Sequence, residues 1–323
     1  MTLVGVGHAL ADAFAFVEED VPKVMGLHPG SFNQVPDYRM RAILATMRQK
    51  NLMAGGSAAN IVKLAARLGL SAYFVGQCGH DEAGLVFESE LLEAGVRTSL
   101  TRSDSPTGLC VTFLSSEGRT SATLRSASGG LPTGLLSEAL LDAADVVVAE
   151  GYLLDEPEFL ADLMRQCRRA RRPVAFDAGQ GMVDRHGDAL LAYLASGAIG
   201  YLFLHESDAA TLTGLEARAA LEPLAQAGCV VIQREEGVLI RRNGQTVAVP
   251  RFDTDVVDLT GADDGFDAGF LWGLSQGWTL ETAGRAGGLV AACVSRQPGT
   301  RVDDGPWAAL TTGLAELRLA STV

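Results

Sequence analysis

Short β-branched runs alternate with stretches of 3.6-residue apolar period along most of the chain, and few folds accept that alternation. "TLVGVG" (2–7) reads as a first strand. "SAANIVKLAARLG" (57–69) places Ile61, Leu64, Ala65 and Leu68 on one helical face and stops at Gly69. "SAYFVGQCG" (71–79) is the next strand, followed by a helix that Asp81 caps. "DVVVAEGY" (145–152), "PVAFDAG" (173–179), "IGYLFLH" (199–205) and "CVVIQR" (229–234) are further strands, with helices near 156–170 and 184–196. Such alternation predicts a mostly parallel sheet covered by helices on both faces. A length of 323 residues suits one large α/β domain with a small appendage.

Two polar, turn-rich segments break the pattern, "FAFVEEDVPKVMGLHPGSFNQVPDY" (14–38) and "VRTSLTRSDSPTGLCVTFLSSEGRTSATLRSASGG" (96–130). Both lean towards β structure, with "SSEGRT" as a hairpin turn, and they predict a small β lid built from about 13–50 and 96–130. "VLIRRNGQTVAVP" is a further hairpin turning at Asn243-Gly244.

Charge and cysteine usage exclude several functions. A net charge of −13 argues against a nucleic-acid partner, which requires a basic face. The local run "RQCRRARRP" reads as the basic last turn of a helix stopped by Pro173. Five scattered cysteines without a C-x-x-C indicate neither a disulfide framework nor a zinc site. Reduced thiols, no membrane-length apolar run and no basic leader predict a cytoplasmic protein.

Three stretches carry candidate chemistry. "GVGHAL" (5–10) lacks the third small residue and the immediate helix of a dinucleotide fingerprint, so it does not predict a nicotinamide site. "AGGSAAN" (54–60) opens a helix with bare backbone at Gly55 and Gly56 and an amide at Asn60. It reads equally as a ligand approach or as a plain turn with Ser57 as N-cap. "DLTGADDGFDAGF" (258–270) sets four aspartates and three glycines at a helix start. The backbone N–H groups of Gly261, Ala262 and Asp263 make an anion site there, and an adjacent carboxylate can accept a hydroxyl proton. The competing reading is two helix-capping acids.

The order "GGSAAN", "VGQCGHDEAG", "DLTGADDGFDAGF" resembles the ribokinase-like (phosphofructokinase-B) family of carbohydrate and nucleoside kinases, over nearly the whole chain. The 43-position interval from Asp12 to Gly55 is closer to adenosine-kinase-like members, as are "VDRHGDALLAYL" (183–194) and "PTGLCVTFLSSEGRT" (106–120). The resemblance implies a kinase using ATP and Mg²⁺, in some members with a monovalent cation, on a sugar or nucleoside hydroxyl. It also implies a homodimer through the lid. It makes Asp264 the catalytic base and Gly261, Ala262 and Asp263 the anion hole. Asp12, Gly55, Gly56 and Asn60 become substrate-binding, and Asp258 falls near the monovalent cation.

The departures are specific. The last motif differs from D-T-x-G-A-G-D at Leu259 and Asp263. "HESD" (205–208) stands for N-x-x-E, putting His205 at the nucleotide phosphates and Asp208 at Mg²⁺. "IQREEG" (232–237) stands for T-x-G-x-x-G, putting Ile232 and Arg234 at unusual places and keeping Gly237. A fixed anion ~5 Å from a phosphate costs about 3 kcal/mol at an effective dielectric of 20, roughly two decades in rate. Asp263 is therefore expected to repel the donor with Arg234 compensating, to turn outward, or to hold Mg²⁺. The alternative function is a degenerate member that binds a sugar or nucleotide without efficient phosphoryl transfer. An unusual phosphoryl donor is a third reading.

Overall fold

The computed structural model describes residues 1–47, 51–116, 118–179 and 181–320. Fourteen strands form two sheets among them. The large sheet contains β1 (Thr2–Val6), β5 (Ser71–Gly79), β6 (Arg97–Ser103), β9 (Val146–Glu150), β10 (Val174–Asp177), β11 (Ile199–His205), β12 (Cys229–Arg234), β13 (Gly237–Arg242) and β14 (Gln245–Pro250). The lid contains β2 (Leu10–Phe16), β3 (Phe32–Gln34), β4 (Met53–Gly55), β7 (Gly108–Ser115) and β8 (Gly118–Leu124).

The large sheet runs β14-β13-β12-β11-β10-β9-β1-β5-β6, and all its strands run the same way except β13, which is antiparallel to both its neighbours. Its strands alternate between two cores, as the two-residue side-chain period requires. Leu3, Phe74, Val146 and Val148 face helices Ser57–Arg67, Ala262–Ser275 and Leu280–Val294. Val4, Val75, Val147 and Ala149 face helices Pro157–Arg169 and Met182–Ala195. From β1 the chain builds outward first through β5 and β6, then on the other side through β9 to β12. The order reverses between β1 and β9, and ligands of open parallel sheets bind at the C-terminal strand ends beside such a reversal.

The lid order is β3-β8-β7-β2-β4. Ala13, Val111, Phe113 and Ala122 face helix Asp37–Thr46 through Met40 and Ile43. The opposite period of the same strands presents Leu10, Asp12, Cys110, Thr112, Arg119, Ser121 and Thr123 to a cleft. β13 and β14 turn through Asn243 (φ 49°) and Gly244 (φ 78°), the two left-handed residues of a tight hairpin.

The lid boundaries differ from expectation. Arg97–Ser103, expected in the lid, pairs parallel with β5 at the edge of the large sheet. An edge strand keeps one polar border in water, so its polar composition does not mark it as lid. Met53–Gly55 joins the lid beyond the expected limit, while residues 48–50 of that segment and Glu117 of the expected turn lie outside the described residues. Among the described residues no helix is long and apolar enough to cross a membrane. All five cysteines are free.

Candidate active site

Helix Ala262–Ser275 begins at Gly261, whose φ of 78° is left-handed and whose Cβ, if present, would lie 2.1 Å from Thr300 Cγ2. Only glycine fits there. The Ala262 N–H donates to the Leu259 carbonyl at 3.1 Å, closing the turn, so that amide of the expected anion hole is engaged in this structure. Gly261 and Asp263 line the cleft beside Asp264.

Asp264 is buried at the helix N-terminus. Its Oδ1 lies 2.7 Å from Ser57 Oγ, and its Oδ2 accepts from Asn60 Nδ2 at 2.8 Å. Ser57 Oγ also bonds Asp177, at the C-terminal end of β10. A hydroxyl has one proton to donate. Bridging two carboxyl groups therefore requires one of them to carry a proton as well. Burial, reinforced by the Asp177 charge, raises the Asp264 pKa to about 8, and burial raises that of Asp177 also. Asn60 in turn accepts from Thr300 Oγ1 at 2.7 Å, so both ends of its amide hold protein groups.

Sequence reasoning passed over Ser57 and Asp177. Ser57 as N-cap is one of the two readings the sequence allows, but the cap position belongs to Gly56, with φ 92°. Asp177 ends a strand with no motif of its own. Its position at a strand's C-terminal end was the available signal.

One end of the cleft is lined by Leu10 and Asp12 of β2, while Gly55, expected at the site, sits on the adjacent β4 outside the lining. Asp12 is buried on β2, and a Cβ at Gly55 would lie 2.2 Å from its carboxyl carbon. Burial raises the Asp12 pKa to about 7, against the opposing charge of Lys63. Lys63, itself buried with a lowered pKa, donates to the Ala54 carbonyl at 3.0 Å. Beside the strand-order reversal, Glu150 at the end of β9 accepts from His8 N at 2.8 Å, pairs with His8 Nδ1 at 2.7 Å, and accepts from Ala58 N at 3.1 Å. Glu150 thus ties the end of β1 to the start of helix Ser57–Arg67. A Cβ at Gly56 would meet the His8 carbonyl oxygen at 2.5 Å.

The other end of the cleft holds the departures from the motif. His205 caps helix Glu206–Thr213, and its Nε2 lies 3.2 Å from Asp263 Oδ2. The hydrogen bond to Asp263 raises the His205 pKa to about 9 despite partial burial. The partner the structure provides for Asp263 is thus His205, a residue the sequence reading does not connect with it, while Arg234, expected to pair with the phosphates, here pairs with Glu236. Asp208 lines the cleft and accepts from His205 N at 3.4 Å, its pKa raised by burial. Gly237 starts the β13 hairpin with φ 134°, where a Cβ would lie 2.2 Å from the Val249 carbonyl oxygen, away from the cleft lining. Asp258 is also outside the lining. Its Oδ1 accepts from Thr260 N at 3.1 Å and Thr260 Oγ1 at 2.9 Å, and its Oδ2 from Gly299 N at 3.2 Å. Those bonds give Asp258 a loop-shaping task.

The cleft encloses about 850 Å³. A helix N-terminus with a bare glycine fits a polyphosphate. Among the described residues, no three His, Cys, Asp or Glu side chains form a metal cage. Mg²⁺ carried on phosphate and water needs only one or two protein carboxylates, so the residues present fit a nucleotide–magnesium complex.

A buried carboxyl at a helix N-terminus and a second buried carboxyl from the smaller sheet line one cleft, an arrangement that suits a phosphotransferase acting on an alcohol group. The chain belongs to the pfkB family of carbohydrate kinases, whose model matches residues 33–307. It is similar to an uncharacterized sugar kinase of Archaeoglobus fulgidus, 27% identical over 245 residues covering 72% of this chain and 94% of that protein. An ATP-dependent ribose-1-phosphate kinase of Halopiger xanaduensis is 28% identical over 257 residues, covering 76% of this chain and 83% of that protein. The crystal structure of adenosine kinase from Sinorhizobium meliloti superposes with a TM-score of 0.88 at 26% identity, over 97% of this chain and 98% of that one. The fold is ribokinase-like, and the protein is a sugar or nucleoside kinase of this family.

Proposed function

We propose that the protein transfers a phosphoryl group from ATP to a hydroxyl of a ribosyl compound, nucleosides before free sugars. The observation that carries this reading is that Asp12 and Asp264 face one cleft, the first from the lid and the second from a helix N-terminus. Asp12 accepts hydrogen bonds from neighbouring sugar hydroxyls, orienting the acceptor for in-line attack. Phe32 stacks on Tyr152 with ring centroids 5.8 Å apart, and both line the cleft, so a planar base would find aromatic surface near the sugar.

Asp264 accepts the proton of the attacking hydroxyl as the oxygen–phosphorus bond forms. Its own proton, held at neutral pH by burial, is lost to solvent by way of the Ser57 hydroxyl and Asp177 before the acceptor reacts. The N-terminus of helix Ala262–Ser275 stabilises charge on the transferring group. Mg²⁺, when bound with the donor, would offset phosphate charge, and Asp208, which lines the cleft, would be the carboxyl to hold it.

The test is a coupled phosphorylation assay of the purified protein over nucleosides, ribose and ribose phosphates, with ATP, GTP and pyrophosphate as donors. ATP- and Mg²⁺-dependent turnover highest on a nucleoside is expected. Ligand binding without turnover on any pair would replace this reading with that of a degenerate binder.

A further inference from the structure

Two helices present their N-termini to the donor end of the cleft, Glu206–Thr213 and Ala262–Ser275. The second carries a carboxylate in its first turn, Asp263, where the helix dipole would otherwise favour a phosphate. The first carries an imidazole at its cap, and the two side chains meet at 3.2 Å. Both are about half exposed, so the contact contributes little to holding the fold together. Arg234, the nearby strand-end cation, is turned to Glu236. Each residue breaks its own motif, and the two breaks touch.

We propose that His205 is a positioning residue for the phosphoryl donor. Its imidazole draws the Asp263 carboxylate aside from the helix N-terminus and offsets its charge there, so that the pair behaves as one unit in place of a bare glycine. This rests on the kinase reading above. The pairing makes a sharp demand: His205 matters to donor binding only while residue 263 is acidic. A residue that bound phosphate directly would matter whatever stood at 263.

The experiment measures ATP affinity by calorimetric titration, and KM and kcat for both substrates, in the parent, His205→Ala, Asp263→Gly, Asp263→Asn and the two double variants. His205→Ala is expected to weaken ATP binding at least tenfold and to raise the donor KM, with the acceptor KM within twofold of the parent. Either change at Asp263 is expected to leave ATP binding within threefold of the parent or tighter. Each double variant is expected to match its Asp263 single, so that the loss caused by His205→Ala disappears. Asp263→Asn keeps the helix-start shape, which separates charge removal from backbone loosening by glycine. Additive losses in the double variants, or parent-like ATP binding by His205→Ala, overturn the pairing while turnover of the parent leaves the kinase reading standing. A parent that neither binds ATP nor turns over overturns both.

Discussion

Replacing Asp264 with asparagine tests the base and its proton together. The structure indicates that an amide fits there without a clash of donors. The carbonyl oxygen of the introduced amide can accept from Asn60 Nδ2, and its nitrogen can donate to Ser57 Oγ, which then donates to Asp177. That arrangement copies the protonated parent, so the fold and the acceptor site should persist. Turnover should fall by about 10²–10⁴-fold, the usual contribution of a general base. The pH profile is the sharper readout. With a pKa of about 8, set first by burial and then by the Asp177 charge, parent kcat/KM should rise about tenfold per pH unit below 8 and level off above it. The residual activity of Asp264→Asn should lose that slope. Stability should move the opposite way. The folded state holds this proton above the unfolded carboxyl pKa, so between about pH 4 and 8 it binds more protons than the unfolded state. Stability therefore falls as pH rises through that window, by up to about 1.4 kcal/mol per unit for one group. Urea unfolding at pH 5 and pH 8 should show Asp264→Asn gaining on the parent at the higher pH. A parent profile flat from pH 6 to 8, or a variant with the parent's rate, would refute the assignment.

Asp12→Ala should weaken acceptor binding at least tenfold and leave the ATP KM unchanged, since charge-assisted hydrogen bonds contribute about 1.5–3 kcal/mol each; calorimetry with both ligands checks it. Gly55→Ala puts a methyl group on the Asp12 carboxyl, which must move, so the acceptor KM should rise more than the donor KM in steady-state kinetics. Ser57→Ala removes a hydrogen bond that lowers the Asp264 pKa, so the midpoint of the pH–rate profile should move above its parent value while kcat falls; an unmoved midpoint would remove Ser57 from the proton path.

What could be read in advance followed the reach of each signal. Strand and helix positions rest on local periodicity, and "SAYFVGQCG" became β5 at its quoted limits. The polar edge strand Arg97–Ser103 defeated the same reading, because its composition reflects a neighbour it lacks on one side. Ser57 was hidden for another reason. Serine after two glycines already has a sufficient local explanation as a helix cap, and only the two carboxyl groups bonded to its hydroxyl show otherwise. Asp177, Glu150 and His205 each end a different parallel strand, β10, β9 and β11. Every one of these side chains acts on a residue from another part of the chain: Asp177 on Ser57, Glu150 on His8, His205 on Asp263. A motif records which residues are needed near one another along the chain. The order of the strands decides which motifs face each other, and order is set by the two cores on either side of the sheet. Departures from a motif therefore cannot be weighed one at a time. Asp263 alone predicts repulsion of a phosphate; with His205 opposite, from the end of the strand next to that of Asp177, it becomes half of a pair, and the donor meets the pair.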